Sequence, residues 1–151
     1  LRWARCDIKS TALLGNVLAK TAAAERGAGE AILIEDGLLR EGSSTSVLVV
    51  REGTLHAPPD GPEILPGTTR ALVLRLAAGC GVPVRIAPVP VEALRAADEI
   101  LLTFATRGVL AVTTLDGQAV GAGRPGPVWT QLYGAFESYR HGLAGTPHYS
   151  A

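Results

Sequence analysis

With 151 residues the chain has one domain's worth of sequence, long enough to bury a hydrophobic core. Apolar residues make up 47% and charged residues 19%, and 14 basic side chains balance 14 acidic ones. That balance leaves no field to attract nucleic acid or an anionic membrane surface, so a small molecule or a protein is the default partner.

No apolar run approaches the roughly 20 residues that cross a bilayer. Cys6 and Cys80 stand far apart with no CxxC spacing, which argues against a disulfide framework or a cysteine zinc site and fits a cytoplasmic protein. His56, His141 and His148 are scattered without ligand spacing and read as loop or tail residues. The chain opens as a strand already under way and holds no methionine, so it reads as the C-terminal part of something larger.

In chain order, residues 4–9 alternate: Ala4, Cys6 and Ile8 on one face, Arg5, Asp7 and Lys9 on the other. That is the pattern of a half-buried strand. Ser10 or Thr11 would then cap a helix to about Arg26 that buries Leu13, Leu14, Val17, Leu18 and Ala22. Lys9 falls where strand gives way to helix, a common site position in α/β folds.

Ala31 to Ile34 reads as a short buried strand, and Asp36-Gly37 as a hairpin turn. The return strand leads into Glu41-Gly42-Ser43-Ser44-Thr45-Ser46, a carboxylate followed by small and hydroxyl-bearing residues. Such a stretch lets a ligand approach closely and offers it one strong acceptor, or it is simply a tight loop. Val47 to Val50 follows as a central strand, Glu52-Gly53 turns it, and Leu55 to Ala57 pairs back before a proline-rich loop.

Pro66-Gly67-Thr68-Thr69-Arg70 opens a helix over 69–78 whose apolar face is Leu72, Val73, Leu76 and Ala77. Free N–H groups and hydroxyls at its start suit an anion such as phosphate, or a threonine merely caps it. Beyond lie an edge strand over 82–86, a short helix over 91–96 and strands over 99–103 and 109–115. The Asp116-Gly117 turn and a last helix over 128–139 follow. Residues 1–140 form one domain in this reading, with 141–151 a flexible tail. The fold class is α/β, more closely α+β, with a mixed sheet; no GxGxxG follows the first strand, so it is not a dinucleotide fold.

Lys9, Glu41 and two hydroxyl-rich loops are the parts that pyridoxal phosphate requires. It needs a lysine for the Schiff base, a partner for the pyridine nitrogen and a phosphate cup. From composition and spacing alone, a phosphate-binding or purely structural reading fits equally.

Three motifs add a resemblance. Arg5-Cys6-Asp7-Ile8-Lys9-Ser10 with Leu13-Leu14-Gly15-Asn16-Val17-Leu18-Ala19-Lys20, then Glu41-Gly42-Ser43-Ser44, then Ile64-Leu65-Pro66-Gly67-Thr68-Thr69-Arg70 resemble the fold-type IV, or class IV, aminotransferases. The likeness runs over roughly residues 2–136 and is strongest to the D-amino-acid branch. It implies the C-terminal, cofactor-binding domain of that fold, with an N-terminal domain absent from this chain.

By resemblance, Lys9 is the Schiff-base lysine and the acid/base, and Glu41 pairs with the pyridine nitrogen. Ser44 and Thr45 lie on the cofactor side of the loop, Leu65 packs on the ring, and Thr68 and Thr69 hold the phosphate. Where the family commonly reads Ser-Thr-Thr, this chain has Phe104-Ala105-Thr106, which leaves Thr106 as the nearest hydroxyl. The implied reaction is ping-pong transamination between a D-amino acid and a 2-oxo acid, with the full-length protein a homodimer. Aminodeoxychorismate lyase and branched-chain aminotransferase share the lysine and glutamate, and a non-catalytic domain would keep the fold without the cofactor. The fragment alone is expected to be inactive or nearly so.

Overall fold

The structure, a computed structural model, describes residues 4–11 and 13–144. Its centre is β3 (Ser46–Arg51), the middle strand of a five-stranded sheet ordered β5-β4-β3-β6-β7. The other members are β4 (Thr54–Ala57), β5 (Val84–Ile86), β6 (Glu99–Phe104) and β7 (Gly108–Val112). All pairings are antiparallel except β4 with β5, which makes the sheet mixed as expected.

Val47 to Val50 are each 0–1% exposed because both faces of this strand are covered. An uninterrupted apolar run is the signature of that situation. Leu48 and Val50 join Val73, Ala77, Leu101, Val109 and Leu132 under α2 (Thr68–Gly79) and α4 (Pro127–Ala144). Val47 and Val49 face the other way. They meet Leu39, Ile100 and Leu102 with Leu94 of α3 (Val91–Arg95). At about 1.5–3 kcal/mol for each buried Val or Leu, these two clusters dominate the stability.

Glu99 shows how the last helix is fixed. Its buried carboxylate accepts the N–H of Val128 at 2.9 Å and of Trp129 at 2.8 Å, which caps α4 and faces the positive end of its dipole. A Cβ on Gly126 would strike that carboxylate, so the residue before α4 has no room for a side chain. Trp129 donates Nε1–H to the Val109 carbonyl at 3.2 Å and stacks on Tyr133, pinning α4 to β7.

The hairpins match their sequence signals. Asp36-Gly37, Glu52-Gly53 and Asp116-Gly117 each carry two successive positive φ angles, the geometry of a two-residue type I′ turn. The first joins β1 (Ile32–Glu35) to β2 (Leu38–Gly42), and the last joins β8 (Thr114–Leu115) to β9 (Gln118–Ala119).

Several expectations are corrected. Residues 4–9 form no strand, because their backbone bonds go elsewhere: Cys6 N–H to the Pro62 carbonyl at 2.7 Å, Ile8 N–H back to Arg5 at 3.2 Å. Only Cys6 of the supposed inward face is buried; Ile8 is 44% exposed. The first helix is α1 (Leu14–Glu25), with Leu13 at its N-cap and no side-chain cap, so neither Ser10 nor Thr11 starts it.

Nor does α1 bury any residue; Leu14, Val17 and Leu18 are 58–69% exposed. Strand β1 is half-buried at best, since it pairs only with β2 and lies outside the main sheet. His56 lies within β4, and His141 within α4, which runs on to Ala144; His148 and the rest of the expected tail lie outside the described residues.

Candidate functional site

A cleft of about 520 Å³ opens where β2, the 43–45 loop, the start of α2 and the end of β6 meet. Lys9, Glu41, Ser44, Thr45, Leu65, Thr68 and Thr69 all line it, so seven of the eight expected site residues share one cavity. Thr106 does not. It sits exposed in the turn between β6 and β7, while Ala105 and Thr103 line the cleft.

Lys9 is exposed into the cleft, and among the described residues it makes no ion pair. The chain has one other lysine, Lys20, and that one is engaged with Glu30, 3.4 Å away. Glu41 closes β2 and is 7% exposed, and its Oε2 accepts the Leu65 N–H at 2.9 Å. Leu65 thus orients the carboxylate as well as offering an apolar wall. The buried carboxylate cannot swing freely, which fits it to hold one proton-bearing ligand atom in a set direction.

The start of α2 supplies the opposite chemistry. Gly67 at the N-cap has extended backbone and makes no side-chain cap, so the first-turn N–H groups point outward without partners from the helix. A Cβ on Gly67 would come within 2.7 Å of the Ser46 hydroxyl, which keeps this corner tight. The Thr69 hydroxyl donates to the Phe104 carbonyl at 3.2 Å, tying α2 to the end of β6. Beneath, Arg70 is buried and anchored by Asp60 at 2.7 Å and the Pro58 carbonyl at 2.5 Å.

Two hydroxyls in the lining have no partner among the described residues. Thr45 Oγ1 and Thr103 Oγ1 are both fully buried atoms without a hydrogen bond. Such groups are costly unless something satisfies them, so a polar ligand in the cleft has donors waiting. With the helix N-terminus, these donors fit a phosphate-bearing group, and the lysine and carboxylate fit its ring and aldehyde chemistry.

The family model described as class IV amino-transferase matches residues 1–115. The chain belongs to that family. It is 42% identical over 138 residues to the D-alanine aminotransferase of Bacillus licheniformis, across 91% of this chain and 49% of that protein. The solved branched-chain amino acid aminotransferase of Escherichia coli superposes with a TM-score of 0.83 at 31% identity, over 91% of this chain and 48% of that one. The enzyme of that name from Thermobaculum terrenum, solved in its PLP form, gives 0.85 at 29%, over 91% and 46%. The chain thus spans about half the length of the relatives it matches.

In this class IV aminotransferase chain, sequence reasoning missed Thr103 and Glu30. Thr103 is 4% exposed and pairs directly with Ser46 across β3 and β6, which brings it beside Gly67. A threonine following the apolar run Ile100-Leu101-Leu102 was the available signal. Glu30, between Gly29 and β1, carries no local signal at all; only the fold brings it under the hydroxyl loop.

Proposed function

We propose that this chain is the cofactor-carrying part of a pyridoxal-phosphate enzyme that moves an amino group from a D-amino acid, such as D-alanine, to a 2-oxo acid. The observation that carries the reading is the meeting of Lys9, Glu41 and the open end of α2 in one cleft. When bound, pyridoxal phosphate supplies an electron sink that lets the Cα–H bond of an amino acid break.

Each side chain then has a definite task. Lys9 would anchor the group through its amine and carry the moving proton on Nζ. Glu41, aimed by the Leu65 N–H, would hold the proton on the pyridine nitrogen. The N–H groups of Thr68 and Thr69 would take the phosphate at the helix N-terminus, joined by the Thr69 hydroxyl once it turns from the Phe104 carbonyl. Thr103 of β6 replaces Thr106 as the nearby hydroxyl in this reading, because it lines the cleft and lacks a hydrogen-bond partner among the described residues. Ser44 and Thr45 would flank the group, and Leu65 would pack on its ring.

The D-amino-acid reading is supported by the 42% identity to a protein named D-alanine aminotransferase. A second reading, transfer from branched-chain amino acids, is supported by solved neighbours of that name at 31% identity. We further propose that a segment matching the other half of the relatives' length closes the cleft. The exposure of Lys9 and of the apolar face of α1 supports that.

Amino transfer to 2-oxoglutarate from D-alanine and from L-leucine tests the reading, measured on the 151-residue chain and on the full-length protein that carries it. The expected result is cofactor binding by both and D-alanine turnover by the longer protein alone. Turnover with L-leucine only selects the second reading. Robust turnover by the short chain contradicts the need for a closing segment, and failure of both to bind the cofactor sinks the assignment.

A further inference from the structure

Ser43 and Ser44 line the cleft, and behind them, outside its lining, sits a buried acid that no expected site residue explains. Glu30 has a side chain only 6% exposed. Its Oε1 accepts the Ala31 N–H at 2.9 Å and the Ser43 hydroxyl, and its Oε2 accepts the Ser44 hydroxyl at 2.8 Å. Lys20 lies 3.4 Å from Oε1 and donates to the Gly29 carbonyl at 3.1 Å and to Ser44 Oγ at 3.4 Å. Asn16 holds the Ser43 carbonyl at 3.0 Å, and the Ser43 N–H bonds the Ala31 carbonyl at 2.9 Å. A Cβ on Gly42 would strike the Thr45 hydroxyl and press on Glu30 Cγ at 3.3 Å, so the loop closes on the acid with no space to spare.

A serine hydroxyl has one proton and two lone pairs. Here both protons are spent on Glu30. Ser43 and Ser44, which both line the cleft, are thus left with only acceptor lone pairs to offer a ligand, one of Ser44's being taken by Lys20, whereas the start of α2 offers donors. The Ser43–Ser44 hydroxyls and the start of α2 therefore differ in hydrogen-bonding character within one cavity.

We infer that Glu30 is a positioning residue that turns the Ser43–Ser44 end of the cleft into an acceptor site for an amine N–H, the amino group handled in the proposed reaction. The inference rests on the reading of the cleft as a pyridoxal-phosphate site and adds a polarity to it. Glu30 acts through the two serines. Lys20 fixes the acid and Ser44 together, and Asn16 sets the loop backbone, so all three links run between α1, Glu30 and the loop.

The test is a binding cycle with pyridoxamine phosphate, which carries the amine and forms no covalent bond with Lys9, and with inorganic phosphate as the probe of the α2 end alone. Glu30→Gln keeps the shape of the side chain but its amide can meet only one hydroxyl as an acceptor. It should weaken pyridoxamine phosphate by about tenfold, the order expected for hydrogen bonds that depend on a charged partner, and leave phosphate unchanged. Ser44→Ala should weaken the amine probe too. The double variant should be no worse than the poorer single one, since the two changes break one chain of contacts.

Should Glu30→Gln fail to fold by circular dichroism, Glu30→Asp, which keeps the charge and loses the reach, carries the same cycle. Equal losses for both probes, losses that multiply in the double variant, or no loss at all would overturn the positioning role. If the unaltered chain binds phosphate but not pyridoxamine phosphate, the cofactor reading fails and this inference falls with it.

Discussion

The packed core of the central sheet and the rim that holds the cleft are built on different terms. Under α2 and α4, Leu48, Val50, Val73, Ala77, Leu101 and Leu132 are 0–1% exposed, and even the polar start of α4 is tied down by Glu99. At the rim that holds the cleft, α1 buries nothing and reaches the domain through the side chains of Asn16 and Lys20, both ending at or beside the hydroxyl loop. Packing fixes the first region, and the proposed chemistry belongs to the second. A surface that must admit a ligand cannot also be sealed, and here polar contacts hold the geometry that packing would hold elsewhere.

Truncation on the two sides gives the sharpest contrast. Leu48→Ala should cost about 2–5 kcal/mol in urea unfolding, as a large cavity does in a closed core. Leu18→Ala, at a position 60% exposed, should change stability by less than about 0.5 kcal/mol. Equal losses would show that α1 is packed after all.

Next in size, Glu99→Ala removes both acceptors from the start of α4 and should cost about 1–3 kcal/mol while leaving cofactor binding intact, because Glu99 lies outside the cleft. A loss of cofactor binding without a loss of stability would reverse the division between the two regions.

The smallest effect concerns acid. Burial draws the Glu30 carboxyl upward, but the hydrogen bonds from Ser43, the Ala31 N–H and Ser44, with the Lys20 charge, outweigh it and leave it below the 4.5 of a free glutamate. A depressed carboxyl stabilises the fold fully above its unfolded value and stops doing so as pH falls through its folded value. Part of the stability should therefore disappear as pH falls from about 4.5 downward, and Glu30→Gln should flatten the profile in that window. Unfolding curves for the two proteins across that range check it; an identical slope would contradict the network.

What was legible in the sequence follows the same division. The three two-residue turns were readable because Asp-Gly and Glu-Gly meet a backbone demand that is local. The run Val47 to Val50 announced a strand covered on both faces, and α2 showed its inner face in Val73 and Ala77. Residues 4–9 misled because alternation marks a strand only if a partner strand is beside it, and here Cys6 bonds to Pro62 instead. Leu14, Val17 and Leu18 showed that α1 has an apolar face but not what covers it. Lys9, Glu41 and the Gly67-Thr68-Thr69 turn, which share one cleft, stood out because motif spacing carries them, whereas Thr103 and Glu30 come near it only through register and folding back.

The central claim is that Lys9 is the amine on which the cofactor is held, and the chain offers a clean test because it has only two lysines. Incubation with pyridoxal phosphate, reduction with borohydride and peptide mass mapping should place the phosphopyridoxyl group on Lys9 and leave Lys20, engaged by Glu30, unlabelled. Label on Lys20, or on neither lysine, would contradict the account.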